Sequence, residues 1–158
     1  MAKQELQSLF TAEEYKANFK VNKKGKKEEK VQLQVCDYLR NTYPDLIWFC
    51  DLASGLKLPI WIAAKNKQMR SSRGLPDLFI AKPVSFNNES GTALLLPFSG
   101  LFIELKKDGI RLKNGNLPTN EHHAEQEAIL VKLRALGYRA EFACGYEEAV
   151  KLINEYLK

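Results

Sequence analysis

The chain has 158 residues, of which 45% are hydrophobic and 27% are charged, and this suits one globular domain with a buried core. A formal net charge of +5 favours a polyanionic partner, although many basic proteins bind no nucleic acid. The three cysteines include no CxxC pair, which argues against a disulfide framework and against a structural zinc site. The N-terminus has no apolar signal core, and no run approaches the roughly 18 apolar residues of a membrane span. We therefore expect a soluble intracellular protein without a membrane partner.

The N-terminal part of the chain is highly charged and only weakly patterned. Residues 1–20 carry apolar side chains at helical spacing. Residues 21–30, rich in lysine and glutamate, suit either a linker or the frayed start of a helix. From Glu28 onward apolar residues recur every three or four positions, which predicts a helix that ends at residues 41–45.

The middle of the chain alternates short apolar runs with polar connections. Residues 46–50 predict a buried strand. Residues 51–73, rich in lysine, arginine and serine, predict a functional loop or a short helix followed by a loop. Residues 78–81 predict the next strand, and the turn-forming residues at 83–92 predict a hairpin whose second strand is 101–106.

The last third of the chain has the clearest helix signals. Thr119 or Asn120 can cap a helix that Gly137 ends. Residues 138–143 predict a strand, and Gly145 turns the chain into a final amphipathic helix.

This order of elements predicts an α/β fold with a central mixed β-sheet flanked by helices. Neither an internal repeat nor a second domain is visible in the sequence. We divide the chain into an N-terminal helical and basic extension, residues 1–27, and one domain, residues 28–158.

Two short segments carry the residues suited to chemistry: Gly74-Leu75-Pro76-Asp77 and Phe102-Ile103-Glu104-Leu105-Lys106. Side chains alternate along a strand, so Glu104 and Lys106 share one face. Pro76 makes the chain before Asp77 rigid. If strands 78–81 and 101–106 pair, Asp77 and Glu104 converge near the edge of the core.

Two carboxylates and an ammonium group in this arrangement suit phosphodiester hydrolysis. Hard cations such as Mg²⁺ and Mn²⁺ prefer carboxylate, carbonyl and water oxygens. A lysine beside them can orient a water molecule or stabilise negative charge on a phosphate. From residue type and spacing alone, the alternative is that Glu104 and Lys106 form a surface pair and Asp77 follows an ordinary turn.

The combined motifs resemble the PD-(D/E)xK nuclease superfamily and, within it, the VRR-NUC (virus-type replication-repair nuclease) family. The resemblance spans roughly residues 28–157. The matching residues are Glu28 with Gln32, the segment Gly74 to Asp77, the segment Glu104 to Lys106, Gln126, Gly137 and the segment Gly145 to Ala149. The resemblance implies a restriction-endonuclease-like core.

The resemblance also implies roles for individual residues. Asp77 and Glu104 would bind Mg²⁺ or Mn²⁺ with the backbone carbonyl of Leu105, and Lys106 would be the catalytic lysine. A glutamate of the first helix would complete the site. We choose Glu28 for this role, with Glu29 as the alternative. Successive residues of a helix are rotated by about 100°, so the side chain of Glu29 points about 100° away from that of Glu28.

A glutamine after the catalytic strands belongs to the family's pattern as well. Gln126 would face the site and contact Lys106 or the substrate, whereas an isolated glutamine is more often a solvated surface residue.

The function that the resemblance implies is a metal-dependent DNA endonuclease. Its substrates would be branched, flap or four-way junction DNA in phage-type replication, recombination or repair. It would act as a homodimer in the cytoplasm of a bacterial or phage-infected host cell. The alternative is a non-catalytic nucleic-acid-binding module with a nuclease-like fold.

Basic residues on either side of Asp77 are candidates for contact with DNA phosphates. Solvated basic loops would show the same composition. Trp61 lies among them, and the sequence does not decide whether it stacks on unpaired bases. The predicted nucleic-acid-binding residues are Lys23, Lys24, Lys26, Lys27, Lys65, Lys67, Arg70 and Arg73.

Overall fold

The computed structural model describes residues 20–21, 25–51, 56–57, 59–72, 74–84 and 98–158. These ranges contain six strands and four helices. The strands are β1 (Lys20–Val21), β2 (Trp48–Cys50), β3 (Leu56–Lys57), β4 (Leu78–Ile80), β5 (Leu101–Lys106) and β6 (Arg139–Cys144). The helices are α1 (Gly25–Thr42), α2 (Ile60–Gln68), α3 (Glu121–Ala135) and α4 (Tyr146–Leu157).

A four-stranded mixed sheet in the order β2-β4-β5-β6 forms the centre of the fold. Strand β4 pairs antiparallel with both β2 and β5, whereas β5 and β6 are parallel. The predicted pairing of the two motif strands is confirmed, with Leu78 opposite Ile103. Strands β1 and β3 form a separate two-stranded sheet. The described chain therefore has the predicted α/β fold with a mixed sheet flanked by helices.

The main hydrophobic core lies between one face of this sheet and helices α1 and α4. Helix α1 has apolar residues at spacings of four, which places them on one stripe of the helix. Alternate residues of β5 face the same core. The fully buried members include Val35, Leu39, Leu78, Ile80, Leu101, Ile103 and Ile153.

The other face of the sheet is covered by α3 and by aromatic side chains. The Asn120 side chain caps α3 by accepting a hydrogen bond from the backbone N–H of His123 at 2.8 Å. The Phe79 and Phe102 rings stack on this face with centroids 4.4 Å apart. Because β5 alternates, Glu104 and Lys106 lie on the α3 side of the sheet, opposite Ile103 and the main core.

Strand β2 lies at the edge of the sheet, so the predicted buried strand at 46–50 is wrong in its burial. Ile47 and Phe49 are exposed, whereas Trp48 and Cys50 pack against the core. An edge strand keeps one face against the core but leaves the other to solvent, and the local apolar run does not reveal this.

Other predicted boundaries shift by a few residues. Helix α1 begins at Gly25, three residues before the predicted start at Glu28. The connection 51–73 contains α2, which confirms the alternative of a short helix followed by a loop. The predicted N-terminal helix at 1–20 lies outside the described residues except for Lys20, which belongs to β1. Most of the predicted turn at 83–92 also lies outside them.

The three cysteines have free thiol groups, and each is partly buried. No described helix is both long enough and apolar enough to cross a membrane. The division into an extension and one domain stays a prediction.

The close approach of β4 to the residue before β5 generates a stability prediction. A Cβ at Gly100 would lie 2.8 Å from Cε2 of Phe79 and 2.9 Å from the carbonyl oxygen of Ile80. We expect Gly100→Ala to lower the free energy of unfolding by about 1–3 kcal/mol, because backbone atoms must move to accept the methyl group. Chemical denaturation measures this, with the exposed Ser99→Ala as control. Equal stability of the two variants would contradict the close packing.

Candidate active site

Four polar side chains are buried together where β4, β5 and α3 meet. Asp77 directly precedes β4, Glu104 and Lys106 lie on β5, and Gln126 lies on α3. Their exposed fractions lie between 3% and 6%. Charged side chains are rarely buried to this extent without specific partners, so the contacts of each one decide what the cluster can do.

Glu104 is the centre of this cluster. Its Oε1 atom accepts a hydrogen bond from Nζ of Lys106 at 2.7 Å, and the two side chains form a buried ion pair. The Nε2 amide of Gln126 donates to the same oxygen. The predicted shared face of Glu104 and Lys106 is confirmed, but Glu104 lies deeper than the expected position at the edge of the core.

Asp77 joins the start of β4 to the C-terminal end of β5. Its Oδ2 atom accepts a hydrogen bond from the backbone N–H of Leu105 at 2.9 Å. Leu105 lies between Glu104 and Lys106 in the chain and buries its own side chain in the main core. This bond brings the Asp77 carboxylate to the strand that carries the other two charges.

Gly74 allows the first motif to approach α3 closely. Its φ is +75°, and a Cβ there would lie 3.4 Å from Cγ of Gln126 and 3.6 Å from the Cα of Gln126. A residue with a side chain would be strained at this positive φ, although its Cβ would make only ordinary contact with Gln126. The backbone conformation, rather than a lack of space, is therefore what favours glycine at this position.

Gln126 has one polar atom without a partner. Its Oε1 is buried and makes no hydrogen bond with any described atom. A buried acceptor left without a donor costs about 1–3 kcal/mol, so this atom is poised to accept from a ligand or a water molecule. The family-based expectation that Gln126 faces the site agrees with its contact to Glu104, while its role stays a prediction.

The electrostatic environment raises the pKa of Glu104 to about 8. Burial is the largest cause, and repulsion from Asp77 is the next. Lys106 acts in the opposite direction, by charge and by hydrogen bond, without cancelling them. Glu28 also raises this pKa, so it is an α1 carboxylate whose charge reaches the site. The choice of Glu28 over Glu29 as the α1 carboxylate of the site stays a prediction.

Asp51 connects three elements around the cluster and was missed by the sequence analysis. Its backbone N–H donates to the carbonyl of Asp77 at 2.7 Å, and its own carbonyl accepts from Nε2 of Gln32 at 2.6 Å. Gln32 lies one helical turn after Glu28 on α1. The only sequence signal was an acidic residue directly after a strand, which many loops share.

Arg70, one of the predicted phosphate-binding residues, pairs with a carboxylate of the protein itself. Its guanidinium group forms an ion pair with the Asp51 carboxylate, and both side chains are partly buried. This pair ties the chain that follows α2 to the backbone beside Asp77. Contact between Arg70 and phosphate stays a prediction.

The remaining predicted basic residues lie in several places. Lys27 on α1 and both Lys65 and Lys67 on α2 are exposed. Contact of these three lysines with DNA phosphates stays a prediction. Lys23, Lys24 and Arg73, together with the side chain of Lys26, lie outside the described residues.

The donor atoms of the cluster suit a hard divalent cation. Asp77 and Glu104 offer carboxylate oxygens, and a cation would offset the repulsion that raises the pKa of Glu104. Within the described ranges no three His, Cys, Asp or Glu side chains converge to hold a metal ion. A cation here would therefore complete its coordination with backbone carbonyl oxygen and water, as Mg²⁺ commonly does.

Comparison with known proteins supports the fold. No protein-family model and no curated protein matches the chain. A solved structure described as a VRR_NUC domain protein is similar, with 24% sequence identity and a TM-score of 0.50. The match covers 83% of this chain and 88% of that one. The chain has a VRR-NUC-like fold. At this identity the likeness shows the fold alone.

The raised pKa of Glu104 predicts a pH-dependent stability in metal-free buffer. Below pH 4.5 the carboxyl is protonated in both the folded and the unfolded chain. Between pH 4.5 and about 8 only the folded chain retains the proton, so this contribution to stability is lost as the pH rises.

We expect the stability of the wild type relative to Glu104→Gln to fall across this range, on the order of a few kcal/mol in total. Chemical denaturation of both proteins from pH 5 to 9 in the presence of a chelator measures the difference. A difference that stays constant, or that grows with pH, would contradict the raised pKa.

Proposed function

We propose that the protein is a metal-dependent nuclease that hydrolyses phosphodiester bonds in DNA. The observation that carries the proposal is the buried cluster of Asp77, Glu104 and Lys106, in which burial and like-charge repulsion raise the pKa of Glu104 to about 8. Strongly perturbed ionisable groups are concentrated at functional sites. The VRR-NUC-like fold supports the same reaction class, because its similar solved structure is described as a VRR_NUC domain protein.

In this proposal Asp77 and Glu104 hold Mg²⁺ or Mn²⁺ together with the backbone carbonyl of Leu105. Glu28 adds negative charge from α1, directly or through a water molecule. When bound, the metal supplies Lewis acidity to the scissile phosphate and lowers the pKa of a water molecule.

The chain's own groups have separate tasks in hydrolysis. The Lys106 ammonium is held at the site by the Glu104 carboxylate, 2.7 Å away, and can orient the attacking water or stabilise charge on the phosphate. Gln126 fixes Glu104 through its amide N–H and presents its unpartnered Oε1 atom as an acceptor for a water molecule. These preset donors and acceptors reduce the reorganisation that the reaction would otherwise require.

The finer assignments belong to the same proposal. The substrate is branched, flap or four-way junction DNA in phage-type replication, recombination or repair, and the active form is a homodimer in the cytoplasm of a bacterial or phage-infected cell. Exposed Lys27, Lys65 and Lys67 supply positive charge for phosphate contacts.

One observation favours a second candidate function. Because three metal-binding side chains do not converge within the described residues, the chain also suits a nucleic-acid-binding module that has the fold without the reaction. Salt-sensitive DNA binding that is indifferent to metal, without cleavage, distinguishes this function from a nuclease.

Cleavage of labelled linear, flap and four-way junction DNA tests the proposal, with Mg²⁺, with Mn²⁺ and with a chelator. We expect cleavage only with metal, and at least about 100-fold slower cleavage by Asp77→Asn, Glu104→Gln and Lys106→Met, because each change removes a charge at the reacting centre. Lys151→Gln, which removes an exposed charge on α4, is the control.

Circular dichroism and denaturation show whether each variant is folded. Full activity of folded Glu104→Gln or Lys106→Met would rule out this active site. DNA binding by the wild type without any cleavage would instead support the binding module.

A further inference from the structure

Helix α2 presents apolar side chains to solvent. It has no buried residue, and Ile60 is 90% exposed and Trp61 70% exposed. Met69, at the end of the helix, is also exposed. Large apolar side chains that cluster on a surface commonly mark a contact site, and indole rings are costly to leave in water.

The exposed surface of α2 combines an aromatic ring with positive charge. Trp61 and Lys65 are four residues apart and therefore lie side by side on one exposed face. Ile62 and Asn66, also four apart, are partly buried and form the inner face. The helix IWIAAKNKQ has two lysines and no acidic residue.

The C-terminal end of α2 is attached to the candidate active site. Arg70, two residues after the helix, pairs with Asp51, and the backbone N–H of Asp51 bonds to the carbonyl of Asp77 at 2.7 Å. Trp61 lies seven residues before the helix ends at Gln68, which is about 10 Å along the axis. The exposed ring is thus carried by a helix whose C-terminal end is held next to Asp77 by the Arg70–Asp51 pair.

We propose that Trp61 and Lys65 form a docking surface for unpaired bases of nucleic acid beside the active site. The Trp61 ring stacks on one base and Lys65 contacts the adjoining phosphate. This inference rests on the proposed function for the position of the cleavage site. It adds that the protein recognises unpaired bases of the substrate.

The chemistry of the surface selects this occupant. Bases inside a duplex already have both faces stacked, so an indole ring reaches the face of a base only where the strand is unpaired, as in a flap or at a junction. A second copy of the chain docking through the same helix would place lysines from both copies together, which is unfavourable. Positive charge beside an aromatic ring instead complements a single strand.

Fluorescence can report on Trp61 alone. The chain has two tryptophans, so Trp48→Phe leaves Trp61 as the only indole. Combined with Glu104→Gln to suppress cleavage, this protein is titrated with a single-stranded oligonucleotide and with a blunt duplex of the same sequence. We expect strong quenching by the single strand and little quenching by the duplex.

Binding measurements by fluorescence anisotropy test the energetic contribution, and they keep the test valid if Trp48→Phe does not fold. In the Glu104→Gln background, Trp61→Ala should weaken single-strand and flap binding about tenfold and leave duplex binding unchanged, and Trp61→Phe should restore most of the affinity. Leu136→Ala is the matched control, because Leu136 is also 70% exposed but lies at the end of α3.

The salt dependence of binding tests Lys65 separately. Lys65→Gln should weaken single-strand binding. It should also make the plot of log affinity against log salt less steep by about one, because one phosphate contact is lost. Lys151→Gln, on α4, should leave the slope unchanged.

Each outcome separates this inference from the proposed function. If the wild type cleaves DNA with metal but Trp61→Ala binds single strands as tightly as Leu136→Ala does, the inference fails and the nuclease stands. If the wild type never cleaves but Trp61 still selects single strands, the nuclease fails and the docking surface stands. The docking surface would be overturned if Trp61→Ala lost affinity equally for duplex and single-stranded DNA. It would also be overturned if Trp61→Ala lost self-association in sedimentation without losing affinity for DNA.

Discussion

The burial of the Glu104 carboxylate is the constraint around which this fold is arranged. An ionised carboxylate removed from water costs several kcal/mol unless charge and hydrogen bonds replace the lost solvation. Lys106 and Gln126 both donate to one of its oxygens. The pKa nevertheless remains raised to about 8, because burial and repulsion from Asp77 outweigh the effect of Lys106. An apolar side chain at this position would stabilise the sheet more simply. The buried carboxyl group therefore fits a role in chemistry better than a role in stability.

The elements around Glu104 are placed by contacts that serve the same cluster. Strand β4 is joined to β5 by the sheet ladder and again by the bond from the Leu105 N–H to Asp77. Helix α3 reaches Glu104 through the Gln126 side chain, and Gly74 lies in contact with the same residue. One side of the sheet thus holds the hydrophobic core and the opposite side holds the polar cluster, and the alternation of β5 supplies both from a single strand.

Local patterns in the sequence predicted the parts of the structure that depend on local physics. The cap at Asn120, the stop at Gly137 and the alternation of β5 act within a few residues, and the structure has all three. The exposure of Phe49 and the linking role of Asp51 escaped prediction because they depend on which strands become neighbours and which lies at the sheet edge. The shared face of Glu104 and Lys106 was predictable, whereas the depth of Glu104 was not, since α3 covers it from a distant part of the chain.

The attachment of α2 to the candidate active site depends on a partly buried ion pair between Arg70 and Asp51. The Arg70 and Asp51 side chains are 29% and 18% exposed, whereas Lys65 on α2 is exposed. Salt screens exposed charges much more than partly buried pairs, so added salt should weaken any ionic interaction of Lys65 before it loosens the Arg70–Asp51 pair. The attachment of the chain after α2 to the backbone beside Asp77 should then persist at salt concentrations that already screen Lys65.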